Sequence, residues 1–150
     1  MAERLVRGAI INELLMASRY GIRLANEELA ADGVDPWRYG ALSFIGVMQP
    51  VTRTELAYAV GEPRTTMRDL IRSLIELGHV REVPNPRDGR STLLELTPEG
   101  QEIFDRGKPA FHRALARLDE ALGGRIDEHE EVVWRVRVAL QDLAGETPRR

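Results

Sequence analysis

The chain has 150 residues, of which 43% are hydrophobic and 30% are charged, and this composition is typical of one globular domain with room for oligomerising extensions. It contains no cysteine, which excludes disulfides, thiolate metal sites and thiol-based redox sensing. Because no leader and no apolar run of about 20 residues is visible, we expect a cytoplasmic protein without a membrane partner. The formal net charge of -3 argues, for the chain as a whole, against a nucleic-acid binder.

Two helices are predicted in the first third of the chain. The first runs from Leu5 to about residue 31, ends at Asp32-Gly33, and carries apolar residues over more than one face. A helix so broadly apolar needs two surfaces to pack against, which indicates a partner chain. The second begins with Asp35 as N-cap and runs over residues 36–48.

A helix-turn-helix is predicted next. Thr52 and Glu55 have the spacing of a capping box, in which each side chain satisfies a free amide of the other, and they begin a helix over residues 53–60. Gly61 ends that helix, and a second one runs over residues 63–77 with a C-terminal glycine after it. The second helix of such a motif can enter the major groove of DNA.

The second motif helix separates into two faces when it is projected along its axis. The residues expected to face the core are Met67, Leu70, Ile71, Leu74 and Leu77. The outer face carries Arg64, Thr65, Arg68, Asp69 and Arg72, with Thr66 at its edge. Arginine pairs with guanine and threonine reaches bases or phosphates. The alternative interpretation is a solvated face with Asp69–Arg72 and Arg72–Glu76 ion pairs.

A β-hairpin follows and favours the DNA-binding interpretation. Residues 80–83 and 92–96 are β-prone, and the polar segment between them contains Asp-Gly. Its tip carries Arg87 and Arg90, and arginine fits the narrow minor groove of A·T-rich DNA.

The last third is predicted to be helical. Thr97 caps a long helix that contains Gly107 and Pro109, where we expect a kink. Gly123-Gly124 breaks the chain, and a final helix covers residues 127–143 before a frayed tail.

These motifs resemble the MarR family of bacterial winged-helix transcriptional regulators. The segments that carry the resemblance are Val51-Thr-Arg-Thr-Glu-Leu-Ala57, Pro63-Arg-Thr-Thr-Met-Arg-Asp-Leu-Ile71, Leu77-Gly-His-Val-Arg-Glu-Val83, Asn85-Pro-Arg-Asp-Gly-Arg90 and Leu96-Thr-Pro-Glu-Gly100. The resemblance implies a mainly α fold (α+β), in which a winged helix-turn-helix with a two-stranded wing is flanked by dimerisation helices. The expected division is residues 1–34 and 98–150 for dimerisation and 35–97 for DNA binding.

The resemblance also implies roles for individual residues. A homodimer would bind a pseudo-palindromic operator of double-stranded DNA. By position, Arg64, Thr65, Thr66 and Arg68 would contact bases or phosphates, Arg87 would enter the minor groove, and Asp88 and Arg90 would hold the wing loop or touch the backbone. The chain departs from the family pattern at three places. Asp69 stands where many members carry arginine, Ser73 replaces another frequent basic residue, and Asn85-Pro86 replaces a more usual acidic-basic pair at the wing.

Family members often bind a small aromatic or anionic effector beside the dimerisation helices. The residues that could line such a site here are Tyr20, Arg23, Trp37, Tyr39, Phe44, Phe111 and His112. The alternative is that these side chains fill the core or the dimer interface. No cofactor is expected, and no metal either, although His112 and His129 could in principle approach Glu130 or Glu131 in a dimer.

The predicted function is therefore that of a transcriptional regulator, with repression as the family's commoner mode, and not that of an enzyme. No phosphate-binding glycine loop is present, and His129-Glu130-Glu131-Val132-Val133 lacks the second histidine of a zinc-protease motif. A winged-helix protein–protein module that has lost DNA binding remains the alternative. Residues 51–97 carry seven basic and seven acidic groups, so the net charge does not exclude DNA. The basic groups collect on the outer face of residues 63–77 and at the wing tip. We therefore expect DNA binding that is sensitive to salt.

Overall fold

The structure is a computed structural model that describes residues 9–145. Within these residues the helices are α1 Ile10–Ala31, α2 Pro36–Met48, α3 Arg53–Val60, α4 Arg64–Glu76, α5 Pro98–Ala121 and α6 Ile126–Leu143. The strands are β1 Val51–Thr52, β2 Val80–Pro84 and β3 Thr92–Leu96. The predicted fold class is confirmed. The predicted start of the first helix at Leu5 and the tail from residue 146 lie outside the described residues.

Local capping signals begin α2 and α3 as predicted. The carboxylate of Asp35 accepts hydrogen bonds from the backbone N–H groups of Trp37 and Arg38, at 3.0 and 3.5 Å. The capping box is complete, since the Glu55 N–H donates to the Thr52 hydroxyl at 3.1 Å and the Thr52 N–H donates to the Glu55 carboxylate at 2.9 Å. α3 therefore has a fixed start directly after β1.

The sheet has three antiparallel strands in the order β1-β3-β2, rather than the two of the predicted hairpin. β2 pairs with β3 as expected, with Val80 opposite Leu96. The additional strand β1 places Val51 opposite Leu94, and both side chains are buried. A strand of two residues is too short to show a periodic pattern, so only tertiary packing reveals it.

The core lies between α2, α4, the sheet and the first half of α5. Its fully buried large side chains are Leu29, Tyr39, Leu42, Ile45, Val51, Leu56, Met67, Ile71, Leu74, Val80 and Leu94. Leu70 packs partly buried against this core. The expectation that Leu77 faces the core is wrong: Leu77 is 44% exposed, because it is the C-cap residue, where the backbone turns away into the loop before β2.

α5 is one continuous helix that contains Pro109. Two of its glycines allow other elements to approach closely. A Cβ at Gly107 would overlap the ring of Tyr39, and a Cβ at Gly100 would overlap the carbonyl oxygen of His79. Gly123 and Gly124 have φ angles of +70° and +73° and separate α5 from α6, which confirms the predicted break. Among the described residues, no helix is long and apolar enough to cross a membrane.

Candidate nucleic-acid interface

The outer face of α4 is exposed along its length. Met67, Ile71 and Leu74 anchor the opposite side of the helix in the core. The exposed side chains are those predicted, namely Arg64, Thr65, Arg68, Asp69 and Arg72, and Thr66 is half-buried at their edge. α4 thus presents three guanidinium groups and two hydroxyls on or beside one outward surface.

Asp69 holds two of these arginines. Its Oδ1 accepts a hydrogen bond from Arg72 Nη2 at 3.1 Å and one from Arg68 Nε at 3.5 Å. The predicted Asp69–Arg72 pair therefore forms, whereas no Arg72–Glu76 pair occurs within residues 9–145. Asp69 therefore neutralises part of the positive charge on the exposed face of α4.

The tip of the wing between β2 and β3 is ordered by its own side chains. The Asn85 Oδ1 accepts from the Arg87 N–H at 3.0 Å, and the Asp88 Oδ1 accepts from the Arg90 N–H at 3.0 Å. The Asn85 amide also donates to the Ser91 hydroxyl at 2.8 Å across the loop. These bonds fix the backbone and leave the guanidinium groups of Arg87 and Arg90 exposed, without an ion pair in the part of the chain that the structure describes. Sequence reasoning had not assigned a role to Asn85, although Asn-Pro at a loop start is typical of such turns.

Glu82 connects the wing to the start of α3. Its carboxylate accepts from the Thr92 hydroxyl at 2.5 Å and from Arg53 Nε at 3.2 Å, and these bonds hold the pKa of Glu82 below its usual value. The pKa of Glu55 is lowered chiefly by the backbone N–H and the hydroxyl of Thr52, and to a smaller extent by the charge of Arg87. Both carboxylates are therefore ionised at neutral pH, and Glu82 joins the wing to the start of α3.

The base of the wing is fixed to α5. The Thr97 N–H donates to the His79 carbonyl at 3.0 Å, and the Thr97 hydroxyl donates to the Gly78 carbonyl at 2.5 Å. Gly100 allows the His79 backbone to lie directly against the first turn of α5. Sequence reasoning identified Thr97 as a cap only, because its second partner is distant along the chain.

Of the residues predicted to line an effector site, two pairs are in contact within a single chain. Tyr39 is buried; its hydroxyl donates to the Phe104 carbonyl at 2.9 Å, and burial raises its pKa to about 12. Its ring centroid lies 5.5 Å from that of Phe111, while the Arg23 guanidinium lies 4.9 Å from the Tyr20 ring centroid. The remaining predicted residues, Trp37, Phe44 and His112, are exposed.

A cavity of about 140 Å³ lies beside Tyr39, between the α1–α2 turn, α2, the start of β2 and α5. Of the residues predicted for an effector, Tyr39 is the one that lines it. Within residues 9–145, no group of three or more histidine and carboxylate side chains is arranged to hold a metal ion.

The fold places this chain in the class of winged helix-turn-helix proteins. Its arginine side chains are exposed on the outer face of α4 and at the wing tip. Residues 32–91 match the model of the MarR family. A relative from Thauera aromatica, described as a transcriptional regulatory protein for the hcr operon, is 28% identical over 131 residues, which span 84% of this chain and 76% of the relative.

Solved structures show the same fold. The repressor CouR bound to a 23-mer DNA duplex superimposes with a TM-score of 0.67 at 22% identity, over 91% of this chain and 99% of that chain. A mutant of MarR from E. coli complexed with operator DNA gives a TM-score of 0.72 at 21% identity, over 86% and 94% of the two chains. The regulator SlyA gives 0.74 at 16% identity, over 89% and 94%.

These comparisons confirm the resemblance found in the sequence. Over residues 32–91 the chain is similar to the MarR family, and it shares the fold of these solved structures.

Proposed function

We propose that the chain is a sequence-specific regulator that binds double-stranded DNA as a homodimer on a pseudo-palindromic operator. The observation that carries the proposal is the set of exposed guanidinium groups of Arg64, Arg87 and Arg90, which form no ion pair within residues 9–145. They lie on the recognition helix and the wing tip, where a winged helix meets the two grooves of DNA. The structures of CouR and of a MarR mutant, which have the same fold, contain bound DNA and support a role in DNA binding.

Each element of the motif has a defined place on the duplex in this proposal. α4 enters the major groove with Arg64, Thr65, Thr66, Arg68 and Arg72 against bases and phosphates. The wing inserts Arg87 into the flanking minor groove, and Arg90 lies at its edge. In the dimer the two α4 helices lie about 34–36 Å apart, which is one turn of B-DNA.

The exposed apolar faces of α1 and α6 support the homodimer. α1 exposes Ile10, Ile11, Leu15 and Ile22, and α6 exposes Val132, Val133, Trp134, Leu140 and Leu143. Large exposed apolar patches of this kind are typical of protein–protein interfaces. A two-fold axis through these helices would cover them with the same helices of a second copy.

Operator binding by such a dimer would block transcription, and we propose repression with release by a small aromatic or anionic effector. The dimer would release the operator if the effector bound more tightly when the two α4 helices have a spacing that does not fit the operator. An effector that binds tightly without changing operator affinity would contradict this part of the proposal.

The Arg87→Ala variant tests DNA binding. In a mobility-shift or fluorescence assay with the intergenic DNA upstream of the protein's own gene, we expect weaker binding. The slope of log K against log salt concentration should fall by about one unit, because one phosphate-region contact and its released counterion are lost.

The matched control is Arg135→Ala, which removes the same charge from α6, where the arginine pairs with Glu131 at 3.3 Å. Its slope should equal that of the wild type. Equal affinity and slope in the Arg87 variant would reject the wing assignment. Failure of the wild-type protein to bind any duplex would favour a winged-helix protein–protein module.

A further inference from the structure

We infer that Asp69 is a specificity-determining residue, which accepts a hydrogen bond from a cytosine in each half-site and positions Arg72 for a neighbouring guanine. The inference rests on the proposed function, because it assigns a base to one residue of the same recognition face. A carboxylate, that of Asp69, stands in the middle of the surface that would face the phosphates.

The position of Asp69 places it among the groups that would read the bases. Residues 65, 68, 69 and 72 follow the i, i+3, i+4, i+7 spacing and share the exposed face of α4, whose other side is buried in the core. Asp69 therefore cannot turn away from a duplex that Arg68 and Arg72 contact. A carboxylate there would lower affinity unless a donor on the DNA compensates for it.

The two oxygens of Asp69 have different environments. Both intramolecular hydrogen bonds, from Arg72 and from Arg68, end on Oδ1. Oδ2 has no hydrogen-bond partner within the described residues and, on a side chain that is 56% exposed, can accept one from outside. An ionised carboxylate can only accept, so its partner must be a donor.

The major groove offers two such donors, the N4 amino group of cytosine and the N6 amino group of adenine. Adenine presents the N7 acceptor beside its amino group, and this acceptor would repel the second lone pair of a carboxylate. Cytosine presents no acceptor of its own in the groove, so Asp69 should select cytosine over adenine.

The same carboxylate orients its arginine partner. A guanidinium carries five N–H donors, so Arg72 can keep its bond to Oδ1 and still donate two hydrogen bonds to O6 and N7 of guanine. Asp69 and Arg72 together would thus read a cytosine and a guanine in neighbouring base pairs. Arg68, with its longer contact to Oδ1, is freer to reach a phosphate.

Selection of binding sites from a randomised duplex library tests the inference with the full-length protein. Wild-type half-sites should contain a fixed cytosine, and changing it to adenine should weaken binding by roughly 5- to 150-fold. The Asp69→Asn variant should lose this preference and select adenine at that position, because an amide both accepts from N6 and donates to N7. Asp69→Glu should retain cytosine.

The control is Glu76→Gln, which removes one negative charge from the last residue of the same helix and should select the wild-type site. An unchanged cytosine in the Asp69→Asn selection overturns the inference, and so does an equal loss of cytosine in the control. If wild type selects no sequence at all, the proposed function fails and the inference with it. If wild type selects a site that Asp69→Asn reads identically, only the inference fails.

Discussion

The winged helix-turn-helix and the two terminal helices bury their apolar residues in different ways. Among residues 9–145, eleven large side chains are fully buried; ten of them lie within residues 36–96, and the other, Leu29, lies on α1. In α6, residues 126–143, the one buried residue is polar, Gln141. The first region completes its core within a single chain, whereas the second presents apolar faces to the outside.

Polar contacts join the terminal helices to the rest of the chain. Arg113 on α5 pairs with Glu28 at 2.7 Å and with Asp32 at 2.8 Å at the end of α1. Hydrogen bonds from Arg113 and then from Arg117 lower the pKa of Glu28. α6 reaches α3 through Gln141, whose amide donates to the Tyr58 carbonyl at 2.9 Å. Ion pairs at the protein surface add little to stability, because solvent screens them. The winged helix-turn-helix thus closes its core within one chain, while the terminal helices keep large apolar side chains exposed.

The largest effect on stability is expected where Gly100 of α5 packs against His79 at the base of the wing. In Gly100→Ala the new Cβ would overlap the His79 carbonyl oxygen, and both groups belong to backbone that is held by neighbouring hydrogen bonds. We expect the free energy of unfolding to fall by about 3 kcal/mol, as for an overpacked core, in urea titration followed by circular dichroism.

The matched control is Gly40→Ala in α2, where a Cβ would meet no atom within 4 Å. Alanine should stabilise that helix by about 1 kcal/mol relative to glycine. Two variants with the same chemical change would then move in opposite directions. Equal stability of the Gly100 variant and the wild type would show that the wing base is not packed against α5.

The next largest effect is expected on dimer association, through the exposed apolar face of α6. Leu140→Glu on α6 places a charge on the face that we assign to the dimer interface, where Leu140 is 41% exposed in the single chain. Association should weaken roughly 30-fold, which corresponds to about 2 kcal/mol, in sedimentation equilibrium at micromolar concentration.

Leu77→Glu is the control, because Leu77 has almost the same exposure, 44%, but lies at the end of α4. It should leave the association constant unchanged. A monomeric wild type, or equal weakening in both variants, would contradict the assignment of α6 to the interface.

The smallest effect on stability is expected at Tyr39, which is buried in the core. Burial, with a smaller contribution from the charge of Asp105, raises the pKa of Tyr39 to about 12. The unfolded chain releases this proton near pH 10, so the stabilisation is complete below pH 10 and is lost as the pH rises toward about 12. Tyr39→Phe should cost about 1 kcal/mol at pH 7, because the hydrogen bond to Phe104 is lost.

The measurement is the free energy of unfolding of both proteins at pH 7, 9 and 11. The gap between them should narrow from pH 9 to pH 11, since phenylalanine has no proton to lose. A constant gap across this range would mean that Tyr39 ionises freely in the folded protein.

Local signals predicted much of the motif. Local interactions set the ends of these helices. Side-chain caps at Asp35 and at the Thr52–Glu55 box begin two of them, and the positive φ angle of Gly78 follows the end of a third. The exposed face of α4 followed from helical periodicity alone. These features could be found because their partners lie within four residues.

Features with distant partners could not be found in this way. Strand β1 exists because Val51 meets Leu94, and the need for glycine at position 100 depends on His79. The clustering predicted for the effector residues depends on how the helices cross, and within one chain Trp37 and His112 are exposed while Tyr39 is buried. A list of aromatic residues carries no information about such crossings.

The hydrogen bonds from Asn85 and Asp88 to the wing backbone also affect the thermodynamics of recognition. A free loop would lose backbone entropy of about 1–2 kcal/mol for each residue that became ordered on a ligand. Here the turns at Arg87 and Arg90 are already formed before any contact. Only side-chain torsions remain to be fixed, so the wing can bind with a small entropic penalty and can dissociate without having to refold.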